Sequence, residues 1–225
     1  MTTLPHQGLG ARTRRARAPS SHPPHPVSKI AAPWKLWLSK NIGHGGIQKH
    51  AAHFFVDHYV SLGVNKIYIF DHNSSTPVIK QLWDYTEAGI VKYHYIEDFI
   101  LFNGDAIVQF EAYRQCIKKF AHRHQFLAFF DDDEYLVLKQ AANTTSLPIF
   151  LRAYEGFGGL PCNWRIISSS GHTSRPTGRV VDNYVHCLPQ QHFQNTHVKV
   201  IANTKYVIAT HGNPHTFAYV GERAP

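Results

Sequence analysis

The sequence predicts an α/β domain with a mostly parallel sheet flanked by helices, and three observations carry that prediction. From Trp34 onward, short β-branched or aromatic runs alternate with longer stretches at helical spacing. The early apolar runs end on polar or acidic residues, as strands do when a ligand site lies beyond them. With 43% hydrophobic residues in 225, the chain can enclose one good core, so residues 34–225 are expected to form a single domain.

The strand candidates are Trp34 to Ser39, Lys66 to Phe70, Ile90 to Tyr95 and Phe126 to Phe130. Between the first two, Ile47, Ala51, Phe54, Phe55, His58 and Leu62 share one helical face. Val78 to Glu87 reads as a shorter helix stopped by Gly89, and a third helix starts at Asp105 as N-cap and turns Phe110, Tyr113, Ile117 and Phe120 inward. Four strands separated by helices make a parallel sheet, whose ligands bind at the carboxyl ends of the strands. Further on the pattern suggests a helix near Ser146 to Tyr154, then strands near Leu160 to Ile167, Val198 to Ala202 and Tyr206 to Thr210.

Residues 1–33 are rich in Arg and Pro and poor in large apolar side chains, so they read as a disordered leader. A transit peptide, a phosphate-binding arm and translation from a mistaken start are the alternatives. Arg12, Arg14, Arg15, Arg17 and Lys29 supply five of the eight net positive charges. The remainder is only mildly basic, which suits an anionic small substrate and does not call for nucleic acid. Cys116, Cys162 and Cys187 show no paired spacing, which favours a reducing compartment. No run is long enough for a signal-peptide core or a membrane span, so a cytoplasmic or membrane-peripheral protein is expected. Asn73 and Asn143 satisfy the glycosylation sequon, which matters only for a secreted chain.

The strongest chemical signal is Phe126-Leu-Ala-Phe-Phe-Asp-Asp-Asp-Glu-Tyr-Leu, in which a buried strand delivers four consecutive acids to its end. Adjacent carboxylates repel one another, and hard oxygen ligands in that density suit Mg²⁺ or Mn²⁺. Alternation along an extended chain would turn Asp131 and Asp133 to one side and Asp132 and Glu134 to the other. A solvated acidic turn is the plain alternative. Asp71 follows a second buried strand, where an acid can accept hydrogen bonds from ribose hydroxyls or serve as an Asx-turn. Lys40 and Asn41 follow the first strand and precede His44-Gly-Gly, which is neither a P-loop nor a dinucleotide fingerprint. Of the 17 histidines, His211 and His215 follow a strand candidate and are the best candidates for a third metal ligand.

Taken in order, these segments resemble the family 92 glycosyltransferases and related bacterial proteins of the family 2 group, from about Trp34 to Tyr219. The matching pieces are Lys40-Asn41-Ile42, Ser61-Leu-Gly-Val64, Phe70-Asp-His-Asn-Ser74, then Gln109 with Tyr113 and Cys116, and Asp131-Asp-Asp-Glu-Tyr-Leu136. Asn163-Trp-Arg, Ser169-Ser-Gly-His172, His197-Val-Lys199 and Gly212-Asn-Pro-His215 follow in the same order. The resemblance implies a GT-A fold and metal-dependent transfer of a sugar from a nucleotide-diphosphate donor to a glycan or other hydroxyl acceptor. It implies that Asp131 and Asp133 hold Mn²⁺ or Mg²⁺ on the donor diphosphate, that Asp71 contacts the nucleoside and that Lys40 and Asn41 border that pocket; Gln109 and Asp132 are further donor-side candidates, and His215 is the candidate third metal ligand. Departures from the family pattern are Ile42 for Glu, Tyr59 where His is common, and Thr76 for a second Asp. The chain ends before the family's Asn-His-Tyr segment, which implies a C-terminally truncated domain.

An inverting transfer needs a base for the acceptor hydroxyl. Downstream of the cluster the acids are Glu155, Asp182 and Glu222, and Asp182 is the candidate. Two other classes remain: a phosphatase of the haloacid dehalogenase type, whose Asp-x-Asp lies on its first strand, and a non-catalytic nucleotide-sugar or carbohydrate-binding module.

Overall fold

A six-stranded sheet with the order β3-β2-β1-β4-β6-β5 organises the chain. The structure, a computed structural model, describes residues 35–40, 49–72, 77–96, 106–139, 144–174, 176–178, 180–211 and 213–221, with backbone alone for 35–40, 49–51, 96, 106–108, 209–211 and 213–215. The leader, Asn41, the His44-Gly-Gly segment, both sequon asparagines, Thr76, Asp105, Gly212 and Glu222 lie outside the described residues.

The strands are β1 (Lys35–Lys40), β2 (Lys66–His72), β3 (Val91–Ile96), β4 (Phe126–Phe130), β5 (Gly159–Asn163) and β6 (Val198–Asn203). β1 pairs in parallel with both β2 and β4, and β2 pairs in parallel with β3. β6 runs antiparallel to β4 and to β5, so the sheet is mixed. β7 (Val207–His211) and β8 (Asn213–Tyr219) form a separate antiparallel pair.

Alternating side chains of the strands feed two cores. On one face Ile67, Ile69, Phe126, Ala128, Phe130 and Ile201 meet helix α1 (Lys49–Ser61) and α4 (Leu147–Leu151). On the other, Tyr68, Phe70, Leu127, Phe129, Val200 and Ala202 meet α3 (Ala106–Phe120) and Phe217 of β8. Period-two alternation with both faces buried is what turns these strands into near-continuous apolar runs.

Several expectations shift. The helix expected over 78–87 breaks into a 3-10 turn, Val78–Lys80, and α2, Trp83–Glu87. Leu82 between them is buried and leaves the helical region at φ −107°, ψ 18°, so tertiary burial overrides local propensity. Gly89 takes φ 70° after α2, as a helix stop should. The buried face of α1 is Ala52, Phe55, Val56 and Tyr59, one position on from the expected stripe. On α3, Tyr113, Ile117 and Phe120 point inward as expected, joined by Ala112 and Cys116. β5 ends at Asn163, and Ile167 joins only an isolated bridge to Cys187. β8 was not anticipated; as half of a two-stranded ribbon it tolerates Pro214. All three cysteines are free. Among the described residues no helix is long and apolar enough to cross a membrane.

Candidate active site

Strand register brings the candidate residues to one edge. Lys40 of β1 lies level with Asp71 of β2 and Tyr95 of β3, while Leu38 lies level with Phe130 of β4. Asn163, at the end of β5, lies level with Val198, where the antiparallel β6 begins. The carboxyl ends of β1, β2 and β4 therefore share an edge with the end of β5. From β1 the chain moves outward to β2 and β3 and then returns to place β4 on the other side of β1. That reversal is the topological switch point, where neighbouring loops part and leave a crevice. Asp131 stands at its rim.

The acids themselves do not continue the strand. β4 ends at Phe130, and residues 131–134 form a turn in which the Glu134 N–H donates to the Asp131 carbonyl at 3.1 Å. The Glu134 carboxylate accepts in return from the Asp131 N–H at 2.9 Å. Strand alternation therefore does not govern which way Asp131 and Asp133 face, a correction to the reasoning that paired them. Asp133 is exposed, whereas Asp131, Asp132 and Glu134 are half-buried.

Three elements hold this turn. From α1, Tyr59 donates its hydroxyl to the Glu134 carbonyl at 2.8 Å and accepts from the Leu136 N–H at 3.1 Å; His58 meets the Leu136 carbonyl at 2.9 Å. From α3, Gln109 donates to an Asp131 carboxylate oxygen at 3.3 Å and to the Tyr113 hydroxyl at 2.9 Å. From β6, the Lys199 ammonium reaches the other Asp131 oxygen at 2.8 Å and Glu134 at 3.4 Å.

Lys199 is 2% exposed, so its charge is nearly out of water and requires anionic partners. Asp131 and Glu134 supply them, and the lysine in turn offsets their mutual repulsion. Burial pushes the Glu134 carboxyl up to about 7; the Lys199 ammonium and the Asp131 N–H hold it down, and the Asp131 charge adds a smaller upward push.

Of the other candidates, Lys40 and Asp71 share this edge by register. Asp71 is 1% exposed and accepts from the Tyr93 hydroxyl, whose own pKa is raised chiefly by burial and then by that bond. Lys40 and His215 are placed by backbone only, the latter within β8. Asp182 is exposed on α5 (Val180–Asn183), inside the long insertion between β5 and β6. Among the described residues no three His, Cys, Asp or Glu side chains cluster as a metal cage.

Residues 51–221 match glycosyltransferase family 92. The chain belongs to that family. Among solved structures it resembles the crystal structure of S. aureus TarS 1-349, with 11% identity and a TM-score of 0.42 over 76% of this chain. The chain spans about half of that relative, 47% of its length. No curated protein matches it in sequence.

Within this family 92 domain, the residue that sequence reasoning missed is Lys199. It was noted only as part of His197-Val-Lys199. A usable signal was present: every neighbour from Lys199 to Asn203 is buried, and a lysine inside such a strand demands an acid nearby. The phosphatase alternative fails on order as well as on family, since the acidic turn follows the fourth strand of the chain.

Proposed function

We propose that this family 92 domain transfers a sugar from a nucleotide-diphosphate donor to a hydroxyl acceptor, in a GT-A arrangement with the donor at the switch point between β1 and β4. The observation that carries the reading is the acidic turn itself: four carboxylates at a strand's carboxyl end, held from three elements and partly neutralised by a buried lysine. Nature of the site and nature of the reaction agree. Breaking the bond between anomeric carbon and phosphate leaves a diphosphate whose added charge must be stabilised as it forms.

The donor set suits a hard divalent cation. Lys199 and Gln109 each engage one Asp131 oxygen, which leaves further lone pairs, and Asp133 is exposed. Mg²⁺ is held by one or two carboxylates plus substrate phosphates, so a protein cage of three ligands is not required. Asp131 and Asp133 would hold Mn²⁺ or Mg²⁺, with His215 as a third candidate, and the cation would supply charge to the departing diphosphate. Lys40, Asn41, Asp71 and Asp132 border the donor, and Gln109 orients Asp131. For the base, Asp182 is favoured because its insertion leaves the sheet at the edge of the acidic turn. Glu155 precedes β5 and so belongs to the opposite edge.

Calorimetry of uridine diphosphate with Mn²⁺ tests the site. Binding that needs the metal and disappears in Asp131→Ala with Asp133→Ala is expected; unchanged metal-dependent binding in that double variant overturns the reading. Asp182→Asn should leave this affinity intact while lowering turnover by about 100-fold or more, as loss of a general base does. Binding without any turnover by the parent chain would point to the non-catalytic module.

A further inference from the structure

The edge of the sheet opposite the acidic turn carries a different chemistry. α3 runs back from the carboxyl end of β3 to the start of β4, so its last turn, with Lys119, and the following Arg123 come to the amino-terminal edge. Lys92, early in β3, turns to the same face. Its ammonium lies 5.5 Å from the centre of the Phe120 ring, and the Arg123 guanidinium lies 5.9 Å from it. Phe120 is buried and stacks on Tyr68 at 3.8 Å, so it forms a fixed base under the two cations. Lys119 belongs to the same group: burial first, and then the charges of Lys92 and Lys119, lower the pKa of His94 to about 4. The turn after β6 packs on the start of β4, where the Thr204 N–H donates to the Gln125 carbonyl at 2.9 Å, and this brings Lys205 to the same edge. Lys92, Lys119, Arg123 and Lys205 are all exposed.

Exposed lysines are ordinarily just solvated. Here they gather where acids are lacking, because residues 88–96, 112–130 and 183–221 contain neither Asp nor Glu. Glu111, further up α3, is bound to Arg114. Glu87 and Glu155 close short helical turns whose Tyr85 and Tyr154 pack into the core on the α1 side of the sheet. Glu222, outside the described residues, is followed at once by Arg223. The result is a positive field on the α3 side. Beside Lys205 the ribbon of β7 and β8 exposes two aliphatic side chains, Ile208 at 58% and Val220 at 56%, where the Val220 N–H donates to the Tyr206 carbonyl at 2.8 Å.

Cations alone suit any polyanion, and the aliphatic pair decides among them. Single-stranded nucleic acid calls for exposed rings on which bases stack, whereas Phe120 lies buried beneath its cations. Aliphatic side chains beside cations match a lipid surface, where the charges meet headgroup phosphates and the side chains enter the acyl boundary. We propose that this amino-terminal edge docks on an anionic membrane surface. The five residues of β4 span about 17 Å, so docking there leaves the acidic turn at the far end of the strand clear of the bilayer.

The test is co-sedimentation of the full chain with vesicles of phosphatidylglycerol and phosphatidylcholine in equal parts, and with phosphatidylcholine alone, across a salt series. Binding to the anionic vesicles that weakens with salt is expected, with none to the neutral ones. Lys119→Gln with Arg123→Gln should weaken it about 25-fold, or about fivefold for each basic residue. Ile208→Thr with Val220→Thr should weaken it severalfold at low and high salt alike. Lys80→Gln, at an exposed lysine in the turn after β2, should change it by less than about twofold, because charge acts within about one Debye length. Thermal melts of all these variants should match the parent, since every replaced side chain is exposed. No binding to the anionic vesicles, binding undiminished in Lys119→Gln with Arg123→Gln as when the Arg-rich leader alone carries it, or tighter binding to DNA than to the vesicles overturns the proposal.

Discussion

Replacing Lys199 by Met removes a buried charge while keeping most of the side-chain length, and the structure fixes the size and sign of the consequence. Deleting one member of a buried ion pair costs about 3–5 kcal/mol, because the partner is left without compensation. The lysine end is 2% exposed, but the Asp131 and Glu134 side chains are 35% and 21% exposed, so water screens part of the loss. The lower end, about 3 kcal/mol, applies, and for a domain of this size each kcal/mol moves Tm by about 2–4 °C. A fall of about 6–12 °C is expected. The pH dependence adds a second signature. The Glu134 carboxyl is raised from 4.5 to about 7 in the fold, so its stabilising contribution is complete below 4.5 and is lost as pH rises through 7. Near pH 6 Glu134 is mostly protonated and only Asp131 loses its partner; near pH 8.5 both acids do. The deficit of the variant should therefore widen between about pH 6 and about pH 8.5. Differential scanning calorimetry across that range measures it. A shift under about 2 °C, or one independent of pH, would refute the buried pair as described.

Tyr59→Phe removes the hydroxyl that serves the Glu134 carbonyl and the Leu136 N–H, both in the segment that follows β4. Two half-buried backbone groups left without this partner should cost about 1–2 kcal/mol and weaken binding of uridine diphosphate with Mn²⁺ severalfold; a neutral substitution by urea titration and calorimetry would contradict this. Gly159→Ala should destabilise by about 1–3 kcal/mol, since the new Cβ would lie 2.8 Å from the Ile201 carbonyl and 2.9 Å from the Tyr219 hydroxyl. The tyrosine can swing aside, but the carbonyl belongs to the paired strand β6. A urea midpoint equal to that of the parent would show that the strands relax around the methyl.

The strands that frame the site were legible because their apolar runs are short, β-branched or aromatic, and bounded by polar turns. Lys66–His72 and Phe126–Phe130 follow that rule closely. Asp131 and Asp71 were found for the same reason, as charges placed immediately after such runs. What long-range contact decides was not legible. Lys199 meets Asp131 across 68 residues, and no local period announces the pairing. The same holds for Tyr59, whose polar tip reaches Glu134 across 75 residues and draws the buried face of α1 toward it. Asn213 and Pro214 carry turn chemistry yet lie in β8, because pairing with β7 and burial of Phe217 outweigh their local preference. The turn at 131–134 defeated alternation because the Glu134 carboxylate caps the Asp131 N–H, a local competitor to extended backbone.

The neutralising lysine also orders events in time. As the chain emerges during synthesis, β1 to β4 can pair through local βαβ units, yet the Lys199 partner of Asp131 and Glu134 is then still to come. Lys199 arrives only on β6, with the whole intervening lobe already made. Closing contacts across such separations is slow relative to local ones. A nascent chain halted before β6 would therefore lack the cation that Asp131 and Glu134 meet in the folded domain. The ion pair that balances the turn is thus the last of its parts to be synthesised.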